Sequence, residues 1–137
     1  MITSILLKDA RFLKEGLVPS RVIEHYCSRA KTIDRDGRFQ LLESNEDSSI
    51  KILIAVDPKS ERIDFIEYSF ETNSVIRLSE LETHWGIYKV SDQRERDNMV
   101  VIVFGKSNSS IKRIELITRH LVPENTEVLI ESVKFIF

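Results

Sequence analysis

The sequence predicts a single α+β domain, residues 1–137, in which N-terminal helical segments and one C-terminal helix cover one face of a largely antiparallel sheet of about five to seven strands. Three observations carry this expectation. First, 17 Ile and 7 Phe stand against 3 Ala and 4 Gly, a balance that suits pleated, half-buried surfaces and not an Ala-rich helical bundle. Second, apolar spacing is helical at the start of the chain and moves towards alternation after Arg38. Third, short polar turns separate the later apolar runs, and no Pro/Gly/Ser-rich linker divides the chain.

The elements follow in order. Ile2, Ile5, Leu6, Ala10 and Leu13 recur at helical spacing with Gly16 placed as a C-cap, although a strand over Ile2–Leu7 is the competing reading. Ser20 caps a second helix whose stripe is Val22, Ile23, Tyr26, Cys27, Ala30 and Ile33, ended by Asp34-Arg35-Asp36-Gly37. Strands are expected over Arg38–Glu43 and Ile50–Val56, then over Arg62–Phe70 after the turn Asp57-Pro58-Lys59-Ser60. The last of these shifts phase between Phe65 and Ile66, which calls for a bulge or cover on both faces. Glu71-Thr72-Asn73-Ser74 is expected as a hairpin loop leading into Val75–Leu78.

Ser79 and Glu82 have the capping-box form for one helical turn before a strand over Gly86–Val90, and Ser91–Asn98 reads as a charged loop. Met99–Phe104 is apolar throughout, as a central strand would be. Ser109 or Ser110 would cap the C-terminal helix, with Ile111, Ile114, Ile117 and Leu121 inward, and Glu127–Phe137 would be the last strand. That strand–helix–strand unit allows one parallel, right-handed crossover.

Composition excludes several classes. Charge near balance, −2 overall, with 42% hydrophobic residues, rules out disorder and coiled coil. One cysteine, Cys27, excludes an intrachain disulfide framework and a cysteine zinc site. The opening residues carry no basic leader and no stretch approaches the ~20 apolar residues of a membrane span, so a cytoplasmic protein without membrane contact is expected. No cofactor or metal site is expected either.

Few residues suggest chemistry. Gly105-Lys106-Ser107 follows an apolar strand in the order used by phosphate-binding loops, but the glycine such a loop needs five residues earlier is Val100, so an ordinary connecting loop is the reading. His84 with Trp85 could line a pocket beside it. His25 falls on a solvated polar stripe, His120 lies at a helix C-terminus, and Cys27 packs in the core. Nucleic-acid binding is disfavoured by the overall charge and by the lack of aromatics among the basic residues.

Charge patterning gives the one positive signal. Asp64, Glu67, Glu71, Glu80 and Glu82 are accompanied between positions 64 and 82 by Arg77 alone among bases. Adjoining strands could gather these acids into a surface that attracts a basic protein partner. The expectation is a protein-binding module, more specifically a small inhibitor or immunity-type protein that neutralises a basic partner such as a nuclease toxin. The alternative is a small-ligand or nucleotide-binding domain, possibly enzymatic, using Gly105, Lys106, Ser107, His84 and Trp85. Assembly through the edge of Glu127–Phe137 is a third reading.

Overall fold

In a computed structural model, residues 2–14, 19–60, 62–94, 99–104, 111–119 and 127–137 are described. Two helices, α1 (Ile2–Lys14) and α2 (Pro19–Cys27), precede four strands: β1 (Ala30–Asp36), β2 (Phe39–Ser44), β3 (Ile50–Val56) and β4 (Ile63–Arg77). A third helix, α3 (Leu78–Trp85), leads to β5 (Tyr88–Arg94), β6 (Met99–Phe104), β7 (Arg113–Arg119) and β8 (Glu127–Ile136). The eight strands among the described residues form one sheet in the order β1-β2-β3-β4-β8-β7-β6-β5. Two four-stranded meanders, each entered through a helix, therefore meet along β4 and β8, and every neighbouring pair is antiparallel.

Side-chain alternation sorts the sheet into two faces. One register row runs Gln40, Ile54, Ile66, Phe135, Ile114, Phe104, Tyr88, and a second runs Leu42, Ile52, Tyr68, Val133, Leu116, Ile102, Val90. All three helices pack on this face. Trp85 of α3 sets its ring edge-on to Phe104 and Phe135 at 5.3 and 5.7 Å, Tyr26 of α2 meets Tyr68, and α1 buries Leu6, Ala10 and Leu13. α3 also solves a distance problem: a helix about 12 Å long carries the chain from the centre of the sheet towards its far edge. It stops at Gly86, whose φ of 86° and ψ of −170° fall where only glycine is comfortable.

The C-terminal helix is the main correction. Residues 113–119 are a strand, with Ile114, Leu116 and Thr118 buried and Ile117 on the other face. A spacing of three between isoleucines fits a helix, but β6 and β8 supply ladder partners on both sides, and tertiary pairing overrides local propensity. The parallel crossover vanishes with it. The caps Ser109 and Ser110, and Leu121, lie outside the described residues.

Other boundaries move for similar reasons. The expected hairpin at Glu71–Ser74 is not a reversal, because β4 runs through it: Ser69 pairs with Ser132 and Ser74 with Ile130, so four residues face one in a wide irregularity. The phase shift near Phe65 is a bulge, with Asp64 left over between the pairs Val56–Ile63 and Ala55–Phe65. α2 ends at Cys27, and Gly37-Arg38 instead turns a hairpin between β1 and β2, closed by the Asp36–Phe39 pair, with Gly37 at φ 50°. Ile33 is consequently 44% exposed, and Cys27 is exposed where core packing was expected. α3 begins at Leu78 with Arg77 at its N-cap and no side-chain cap, so the Ser79–Glu82 box is not used. β5 extends through Arg94, into the segment expected as loop.

Both sheet edges carry a bulge, between Thr32 and Asp34 in β1 and between Val90 and Asp92 in β5, which interrupts the template an edge offers to another strand. Glu127–Ile136 is interior, between β4 and β7, so it is not the edge expected for assembly. Truncating Phe135, fully buried between Tyr68 and Trp85, to Ala is expected to cost about 3–5 kcal/mol in urea unfolding. Gly86→Ala is expected to cost about 1–3 kcal/mol in the same assay through backbone strain alone.

Candidate functional site

Two features stand out: a buried polar cluster under the helices and the sheet face the helices leave open. The cluster centres on Asp9, 0% exposed although it sits between Leu6, Ala10 and Leu13 on the inward stripe of α1. Arg29 donates from one guanidinium nitrogen to both Asp9 oxygens at 2.8 and 3.0 Å. The Tyr68 hydroxyl donates to Asp9 Oδ2 at 2.7 Å, which leaves the Tyr26 hydroxyl to donate to Tyr68. His25 Nε2 stands 3.4 Å from Asp9 Oδ1, its ring stacked on Phe12 at 3.9 Å. His25 is thus half-buried against a carboxylate, which corrects the solvated stripe expected for it.

This arrangement ties α1, α2 and β4 together. Burial, then the nearby Asp9 charge, pushes the Tyr26 phenol up, and Tyr68 is raised well above its ordinary value by burial first. Both phenols stay protonated as donors. The cavity beside them, about 10 Å³ and bordered by Tyr26, Arg29, Ser44 and Tyr68, has room for one water and no substrate. The cluster is a clamp in which Arg29 and Tyr68 donate to one carboxylate and Tyr26 is tied to it through Tyr68. A sequence signal for it existed in the acid on the apolar stripe of α1; its partner Arg29, 20 positions away, carried none.

The opposite face is formed by three register rows. Phe39, Ala55, Phe65, Ile136 and Arg113 make one. Leu41, Leu53, Glu67, Lys134, Glu115 and Val103 make the next. Glu43, Lys51, Ser69, Ser132, Ile117 and Val101 make the third. Among the described residues no helix covers this face. Leu41, Leu53 and Phe65 make a half-buried apolar patch beside the central Glu67–Lys134 pair, and Phe39 at one end is exposed. Charges pair around it: Arg38 with Asp64 at 2.7 Å, Lys51 with Glu43, and Arg113 with Glu115 at 2.8 Å. Half-exposed apolar side chains set among charged ones are what a protein interface covers.

The five acids separate. Glu67 and Glu71 lie on the open face and Asp64 at its margin, whereas Glu80 and Glu82 are carried by α3 on the helical side. Asp64 is taken by Arg38, and Glu71, 62% exposed, is 3.6 Å from Lys51. Glu67 is half-buried and makes no ion pair among the described residues.

Of the residues of the ligand-binding alternative, His84 and Trp85 are described. Trp85 is core, His84 points out, and neither borders the cavity of about 180 Å³ between α2 and the β1–β2 turn, which is lined by Ile23, Arg35, Arg38 and Phe39. Gly105, Lys106 and Ser107 lie outside the described residues, as does His120. No group of three potential metal ligands occurs among the described residues, and no helix among them is long and apolar enough to cross a membrane. Comparison of the chain with protein-family models, curated proteins and solved structures finds no match.

Removing one partner from the buried cluster leaves the rest uncompensated, so Asp9→Ala is expected to cost about 3–5 kcal/mol, and Tyr68→Phe about 1–3 kcal/mol, by denaturant titration. Because the folded phenols hold their protons above the range where unfolded tyrosine loses them, the folded state binds more protons in base. Stability is therefore full below about pH 10 and falls as pH rises beyond it, more shallowly in Tyr68→Phe; thermal melts across that range check the sign.

Proposed function

We propose that the protein is a non-catalytic protein-binding module that takes its partner on the open sheet face. In its specific form it is a small inhibitor or immunity-type protein that neutralises a basic partner such as a nuclease toxin. The observation that carries the reading is Glu67, a half-buried carboxylate set among Leu53, Phe65 and Lys134 with no ion pair of its own. A carboxylate held half out of water beside apolar side chains gains most from a cation brought by a partner that also covers those side chains. Glu71, exposed on the same face, adds to the attraction and to the rate of encounter.

The surface is narrower than the stretch of acids from which it was inferred. Asp64 already has Arg38, and Glu80 and Glu82 face away from anything docked on the sheet. The partner on this reading presents a lysine or arginine inside an apolar patch, and not a broad basic field.

Affinity capture of the tagged protein from lysate of its own source, at low and high salt, tests this. The expected result is one stoichiometric basic partner, retained by wild type and by Glu80→Lys and lost with Glu67→Lys and with Leu53→Arg. Equal retention by all four proteins would sink the reading.

A further inference from the structure

We infer that the open face also receives a second copy of this chain, related by a two-fold axis that runs along the strands between β4 and β8. The inference rests on the open face being an interaction surface, and it names the occupant that holds it when no other partner is bound.

The central register pairs of this face are complementary in kind. On the open face, β4 and β8 oppose Phe65 to Ile136, Glu67 to Lys134 and Ser69 to Ser132. A two-fold axis along the strands lays β4 of one copy over β8 of the other, so each central residue meets the neighbour of its own equivalent. Phe65 then covers Ile136 of the partner subunit, Glu67 meets Lys134 of the partner subunit, and Ser69 meets Ser132 of the partner subunit. Ring packs on aliphatic chain, anion on cation and hydroxyl on hydroxyl, and every contact occurs twice, as an isologous interface requires.

Within one chain the central charges are not used on each other. Lys134 holds its ammonium 4.2 Å from the centre of the Phe65 ring, and neither it nor Glu67 makes an ion pair among the described residues. Stacked sheets cross at roughly 30°, so close register holds only near the axis. The three pairs that match in kind are those nearest it. Farther from the axis, on β7, Arg113 and Glu115 are already paired with each other. A basic partner and the second copy would compete for Glu67, so the dimer is a resting form that the partner displaces.

Sedimentation velocity on the purified chain tests the proposal. Wild type is expected to be a dimer that weakens with salt, and Glu67→Lys and Lys134→Glu, each alone, are expected to dissociate about a hundredfold more readily. An equimolar mixture of those two variants is expected to recover the dimer, because only contacts across the interface then join opposite charges. Glu67→Gln and Lys134→Met, expected to weaken the dimer about tenfold, replace any reversal variant that circular dichroism shows unfolded. A monomeric wild type, or a mixture of folded variants that stays monomeric, overturns the second-copy inference. Neither result touches capture of a foreign partner, which Leu53→Arg and Glu80→Lys report separately.

Discussion

The pairing of β4 with β8 is the constraint on which the remaining structure depends. Each half of the chain is a helix-led meander whose neighbours in sequence are neighbours in space, and such local hairpins need few long-range contacts to form. Only the last strand of each half reaches across, and their junction turns two four-stranded units into one sheet with a continuous inner face. The length of β4 follows from this. It spans the full length of β8, and its wide irregularity between Ser69 and Ser74 lets it pair with β8 on both sides of that point.

Among the described residues, one wide sheet with three helices on one side has two unlike faces. On the inner face Phe104, Phe135, Tyr68 and Trp85 interlock, and the aromatic stack passes into the polar cluster around Asp9. Burying that carboxylate is costly, and replacement of the cluster by apolar residues could equal it in stability. What the clamp adds is direction: Asp9 accepts from Arg29 and Tyr68 only when α1 sits at one depth and one rotation over β4. The outer face has no such lock. It keeps Leu53, Phe65 and Ile136 half-buried among charges, and its central carboxylate is not neutralised by an ion pair within the described chain. Unlike faces of this kind divide labour, one holding the fold together and the other remaining available for contact.

Sequence periodicity is a good guide where one element's burial decides its form. The helical stripe of α1, the alternation of β3, the apolar run of β6 and the bulge near Phe65 were all legible because each records which side of a single segment meets the core. It failed where two elements decide together. The isoleucines at 111, 114 and 117 fit a helix as well as a strand until β6 and β8 offer hydrogen bonds on both sides, and Thr72-Asn73-Ser74 suits a bulge as well as a turn.

The same division holds for the candidate site. By itself the sequence determined that the chain mixes helices with a mainly antiparallel sheet and that acids concentrate between positions 64 and 82, since composition and local spacing are properties of the chain. Tertiary structure alone decided that Glu67 faces the open side while Glu80 and Glu82 do not, and that Asp9 finds Arg29, Tyr68 and Tyr26. Such outcomes depend on strand order and register, and a one-residue change of register would send every side chain of β4 to the other face.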